Sequence, residues 1–227
     1  MKKINNYIQE KLNISTKYTC KPKDKDELRK IIKERLEKDK DANLNDIDVS
    51  DITDMAHLFY ELDPNNIDIS EWNVSNVEDM ACMFSKCKNF NSDLSEWDVS
   101  NVNDMYEMFY NCKNFNSDLS EWDVSSVKYF DSTFLDCAVF NCNLSNWNVS
   151  NAINTSFMFI GCLTFNSDLS GWDVSNVEAM RYMFYNCKKF DCDLNNWDVS
   201  KVIEMRYMFD GCTSLKNKPK WYSEENK

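Results

Sequence analysis

The chain has 227 residues, 43% apolar and 28% charged, with a formal net charge of −12, which is long enough for one or two domains and a sizeable core. Three glycines, three prolines and a single histidine, His57, argue against glycine-rich phosphate loops, Ser/His/Asp triads and multi-histidine metal sites. No run approaches 18 apolar residues, so no segment has the length of a membrane-spanning helix.

The first segment is basic. Residues 1–40 hold 13 Lys/Arg against 7 Asp/Glu, whereas residues 41–215 hold 9 against 29. Near the start, Ile4, Tyr7, Ile8 and Leu12 form an amphipathic stripe rather than the continuous apolar core of a signal peptide. A cytoplasmic location is therefore expected. That stripe reads either as a short helix or as a segment that docks a partner or a second copy. Next, Asp24-Lys25-Asp26-Glu27 has the form of a capping box. Behind it, Leu28, Ile31, Ile32 and Leu36 mark one face of a helix predicted over residues 25–39. Residues 1–43 thus read as an N-terminal helical segment and cap.

From residue 44 to 215 a 25-residue repeat takes over. Trp72, Trp97, Trp122, Trp147, Trp172 and Trp197 recur without a slip. Phe59 to Phe209, Cys87 to Cys212 and Leu94 to Leu194 keep the same period, and Met80, Met105, Met180 and Met205 share a column broken by Phe130 and Thr155. Seven modules result, the first degenerate and the last truncated. One module cannot offset the entropy of its own ordering, so neighbours must stack to bury a shared core. The spacing of apolar residues does not sustain a helical pattern and fits short strands and turns. The M-x-x-M-F-x-x-C stretch reads as a single helical or 3₁₀ turn. Residues 216–227 break the repeat and read as a C-terminal cap or tail.

The run F-N-S-D-L-S-E-W-D-V-S-N-V-x-D-M-x-x-M-F-x-x-C at residues 90–112 resembles the bacterial surface protein A-like (BspA-like) leucine-rich repeat family. Its tryptophan-containing subgroup was first catalogued as a mycoplasma repeat of unknown function. The resemblance covers residues 44–215. It implies a leucine-rich-repeat-like solenoid of seven 25-residue coils with a short parallel strand column, behind an N-terminal helical cap. It also implies surface or adhesion proteins without enzymatic activity, so a surface location stands beside the cytoplasmic one.

Ten cysteines invite metal or disulfide readings. Six stand in one core column beside Met and Phe, where free Cys behaves as a small hydrophobe. The pairs Cys137/Cys142 and Cys187/Cys192 lack zinc-site spacing and a histidine partner. Reduced, buried thiols are expected, with regulated disulfides as the alternative. Two acidic columns follow the repeat: Asp68, Asp93, Asp118, Asp168 and Asp193, then Asp98, Asp123, Asp173 and Asp198. They read as Asx turns to local backbone N–H groups or as weak calcium ligands. Identical copies of one environment do not make an acid/base pair. No cofactor and no catalytic residue is expected.

Function is sought where the copies differ. Two positions between the methionine columns read Ala81-Cys82, Tyr106-Glu107, Asp131-Ser132, Ser156-Phe157, Arg181-Tyr182 and Arg206-Tyr207; the position after the repeated Phe reads Ser85, Tyr110, Leu135, Ile160, Tyr185 and Asp210. These freer positions should lie largely on the surface. They are rich in Tyr and Arg, the types enriched at interface hot spots. Arg181, Tyr182, Tyr185, Arg206 and Tyr207 make one candidate patch. Lys128, Tyr129, Phe130, Leu135, Phe157 and Ile160 make a second, less polar patch over residues 128–160, and Tyr106 and Tyr110 are further candidates. The expectation is a non-enzymatic protein-binding module. Its partner is another protein, with a basic surface where the acidic body steers it; direct nucleic-acid or membrane binding is disfavoured by the same charge. Two alternatives stay open: an acidic decoy that occupies the basic nucleic-acid groove of an enzyme, and a self-assembling structural or surface protein.

Overall fold

The computed structural model describes residues 18–223; the early stripe Ile4 to Leu12 lies outside them. Among the described residues one helix stands at the start, α1 (Lys25–Leu36). Asp24 is its N-cap, accepting from the Glu27 N–H at 2.9 Å, while the Glu27 carboxylate reaches back to the Lys23 N–H. Acidic residues sit in the first turn and basic ones in the last, as the helix dipole favours. Leu28, Ile32 and Leu36 are buried, and Ile31 packs beside them. The helix ends three residues short of the predicted boundary.

Beyond α1 the expected strand column does not form. Helix accounts for 6% and strand-type residues for 5% of the described residues, with no sheet among them. This overturns the leucine-rich-repeat-like solenoid of seven coils with a parallel strand column. Pairing is reduced to isolated parallel bridges, such as Asp54 with Asp79, Asp79 with Asp104 and Asp104 with Tyr129. The reason lies in the backbone of the Met–Phe–Cys segment. Cys82 and Lys86, and their equivalents in neighbouring repeats, take positive φ values, 56° and 66° for this pair. A strand needs extended geometry at every residue. Here the left-handed residues turn the chain every fourth position instead.

The same conformations replace the predicted helical turn with consecutive turns. The N–H groups of Met83, Ser85 and Cys87 return to the carbonyls of Met80, Cys82 and Phe84, three residues back. The alternate N–H groups leave the repeat altogether. Met80, Cys82, Phe84 and Lys86 donate to Asp104, Tyr106, Met108 and Tyr110, 24 residues on, at 2.7–3.0 Å. Neither a helix nor a strand divides its hydrogen bonds in that way.

Each repeat therefore lies on the next in fixed register, and the apolar columns stack. Phe59, Phe84, Phe109, Phe134, Phe159, Phe184 and Phe209 run ring on ring, with centroids 5.1–5.8 Å apart. Phe90, Phe115, Phe140, Phe165 and Phe190 form a second file at 5.9–6.2 Å. Every Trp indole N–H in the series bonds to a carbonyl one repeat earlier, as Trp122 does to Leu94 at 2.9 Å. The buried indole N–H groups thus find partners, which burial requires.

The cysteines and acids follow the same economy. The described cysteines are free thiols, and those of the core column donate to Phe carbonyls 28 residues back, Cys137 to Phe109 at 3.0 Å. Burial pushes the Cys87 thiol up to about 12, so it stays protonated and unreactive. Both predicted Asp columns make Asx turns: Asp118 and Asp123 accept from the N–H groups of Ser120 and Ser125 at 3.0 Å. Those bonds from Ser120 and Ser125 hold both carboxyls below their ordinary value. Their contribution to stability is therefore present above the usual carboxylate range and lost as pH falls through the folded value. Among the described residues no group of three His, Cys, Asp or Glu side chains is placed to hold a metal ion.

Both ends of the stack are covered by different means. Residues 216–223 bring Trp221 over Trp197 at 6.3 Å, its N–H on the Leu194 carbonyl, and Tyr222 edge-on to Phe209. At the start, the Arg29 guanidinium of α1 donates to the carbonyls of His57, Leu58 and Tyr60. Leu58 and Tyr60 hold the register of Met83 and Ser85, which accept from the preceding repeat. Arg29 thus stands in for a missing repeat. Arg29→Met keeps the aliphatic stem but strips those carbonyls of their donors; a loss of about 1–3 kcal/mol is expected, measured by urea unfolding.

Candidate interaction surface

One face of the stack carries the nonrepeating residues. It is built from two columns that follow the methionines. The first reads Ala81, Tyr106, Asp131, Ser156, Arg181, Arg206; the second reads His57, Cys82, Glu107, Ser132, Phe157, Tyr182, Tyr207. Every member of the second column has positive φ, between 51° and 62°. A bulky residue in that conformation is ordinarily an outlier. Here each N–H from His57 to Tyr182 uses it to reach a carbonyl of the following repeat, as Phe157 does to Arg181 and Tyr182 to Arg206.

The structure gathers five of the nine expected residues into one cluster. The Phe157 and Tyr182 rings stack at 5.5 Å and 14°, and Tyr182 and Tyr207 at 4.9 Å and 30°. Tyr185 meets Tyr182 edge-on at 5.6 Å. Arg181 lies over the Phe157 ring at 5.1 Å and pairs with Glu204 at 3.3 Å. All five are half-buried, while Arg206, beside Tyr207, is exposed. These aromatics do pack between repeats, and they still present an outer edge to solvent.

The remaining expected residues stand apart. Tyr106, 39% exposed, donates its hydroxyl to Glu107 at 2.7 Å, and that bond pushes the phenol up. Tyr110 and Ile160 are half-buried, with no ring contact to the cluster among the described residues. Several freer positions proved internal: Cys82, Ser85, Ser132 and Ser156 are buried, and Phe130 fills the methionine column of the core. Small side chains at a left-handed turn sink below their larger neighbours, a relief that variability alone does not show.

Charge changes sign along the face. At the Tyr106 end, burial first and then the neighbouring Asp104 and Glu107 raise the Asp131 carboxyl to about 6, against a hydrogen bond from its own backbone and a smaller pull from Arg181. Burial likewise raises Asp104. At the other end stand Arg181 and Arg206, with Glu204 taken up by Arg181. The sequence reading placed Asp131 and Glu107 among the variable positions but named neither as a site residue, because they are not hot-spot types. It missed Glu204, which lies outside those columns.

Two overlapping stretches, residues 27–141 and 119–222, match a family described as mycoplasma protein of unknown function, DUF285. The chain belongs to that family. No curated protein and no solved structure matches it. Family membership brings no activity with it, so the face has to be read from its own chemistry.

Asp131 supplies a check on that electrostatic description. A carboxyl whose folded value is raised adds stability that is complete below its ordinary value, near pH 4, and lost as pH rises through about 6. Asp131→Asn is therefore expected to stabilise the protein at pH 7.5 by about 1 kcal/mol, once solvent screening of a half-buried group is allowed for. The gain should vanish at pH 4. Urea unfolding at both pH values measures it.

Proposed function

We propose that the protein is a non-enzymatic binding module that engages another protein through the Phe157–Tyr182–Tyr207 ring stack and its flanking arginines. One observation carries this reading. The left-handed column accepts Cys82, Glu107 and Ser132 in other repeats, so its fold does not call for aromatic rings. Three successive copies nevertheless carry rings stacked outside the core. Tyrosine and arginine in a partly desolvated cluster match the composition of interface hot spots. The stack gives the rings a fixed orientation before binding, which lowers the entropy lost on association. The resemblance of residues 90–112 to the BspA-like family, whose members are often described as surface or adhesion proteins, supports the same reading.

The test compares wild type with a Tyr182→Ser/Tyr207→Ser double variant in affinity capture from cell lysate at low and high salt. Serine already stands at Ser132 in the same conformation, so the variant should fold, as a thermal melt will verify. A partner retained at high salt by wild type and lost by the variant is expected. A partner held equally by both and released by salt moves the reading to attraction by the acidic body alone.

A further inference from the structure

The cross-repeat ladder ends in an acceptor edge, which Arg29 caps in part, and a donor edge. At the acceptor edge Arg29 occupies the carbonyls of Leu58 and Tyr60. At the other, Tyr207, Phe209 and Gly211 hold the register of Tyr182, Phe184 and Asn186, which donate to Arg206, Met208 and Asp210. The N–H groups of Tyr207, Phe209 and Gly211 find no acceptor among the described residues. Phe209 is only 3% exposed, and a buried peptide N–H left without a partner is rare. Trp221 and Tyr222 cover the tryptophan and phenylalanine files without supplying a carbonyl to this row.

We propose that this donor edge docks an extended acidic segment of a partner protein, which adds to the ladder with its carbonyls on Tyr207, Phe209 and Gly211. The proposal rests on the interaction reading and deepens it, because Tyr207 belongs both to the ring stack and to the edge. Edge addition of this kind takes affinity from main-chain bonds and specificity from flanking side chains. Charge selects the segment. Arg206 is exposed and forms no ion pair among the described residues. Lys220 is exposed on the adjoining tail, where Lys216 is taken up by Asp191, and Asp210 is the acid within the edge itself. An acidic segment is drawn to this end and repelled by the body, where acids outnumber bases 29 to 9.

A second copy of the chain fits the edge poorly. Two such edges would set N–H against N–H and Arg206 against Arg206. At the complementary acceptor edge Arg29 already takes the Leu58 and Tyr60 carbonyls. That occupancy works against head-to-tail growth, the usual hazard of an open edge.

Amide hydrogen exchange on the full chain, read residue by residue by NMR, tests the proposal. In the free protein the amides of Tyr207, Phe209 and Gly211 should exchange about a hundredfold faster than those of Tyr182, Phe184 and Asn186. Equal protection of both sets would mean the edge is already filled and overturns the idea. The probe is the peptide Glu-Met-Glu-Tyr-Met-Phe-Asp-Gly at millimolar concentration. It should slow the three edge amides roughly tenfold, an effect removed by Arg206→Glu and absent for the same peptide with lysine at its acidic positions. No slowing, slowing confined to other amides, or equal slowing by the lysine peptide sinks the acidic-segment occupant. Protection that rises with protein concentration alone assigns the edge to a second copy and also overturns it. The ring-stack reading is judged by partner capture and this one by the edge amides, so failure of either registers separately.

Discussion

Along each Met–Phe–Cys segment, alternate peptide N–H groups turn inward to a carbonyl three residues back, while those between them cross to a carbonyl 24 residues on. That division accounts for most of what is unusual in the molecule. It needs left-handed residues at every fourth position, and it needs the next repeat to begin in the same register. An insertion of one residue would move every crossing bond off its acceptor. The strict 25-residue period is therefore a consequence of hydrogen bonding as much as of packing. Left-handed backbone costs a non-glycine residue about 1–2 kcal/mol, and the crossing bond it permits offsets a comparable amount.

The polar residues that repeat most faithfully serve this backbone. The core thiols donate to phenylalanine carbonyls, the indole N–H groups to leucine or isoleucine carbonyls, and the aspartates accept from serine N–H groups. Asn116, Asn141 and Asn166 accept from the N–H one repeat later. Side chains that suggest metal or redox chemistry thus complete hydrogen bonds that a sheet would make through its main chain. A turn-built stack has few regular ladders, so side chains take over the accounting that burial demands.

The repeat, its core columns, the capping helix and the Asx turns were all legible, because each leaves a periodic or positional mark in the sequence. The turn geometry was not. Positive φ usually announces itself as glycine or asparagine, yet His57, Cys82, Lys86, Glu107 and Tyr182 carry it here. Only Gly161, Gly211, Asn111 and Asn186 gave the ordinary sign, at one of the two left-handed columns. Without that signal, alternation of apolar and turn residues reads as strand. Arg29 was equally silent, since one arginine on an amphipathic helix looks like any exposed charge until the carbonyls beneath it are seen. For the candidate surface, residue type found the ring cluster but depth was hidden. Ser132 and Ser156 share its columns and lie buried.

Backbone strain in the tyrosine column is therefore no argument for function, because the fold imposes the same strain on histidine, cysteine and serine at equivalent positions. What distinguishes the last repeats is what the column carries and where it stops. Aromatic rings gather where the acidic character of the face gives way to arginine, and there the N–H groups of Tyr207, Phe209 and Gly211 have no acceptor among the described residues. The two proposed modes of recognition, by side chains and by main chain, converge on Tyr207. A stack whose interior is made identical by its hydrogen bonding can differ from copy to copy only on its variable face and at its ends. The surface proposed for a partner lies where those two meet.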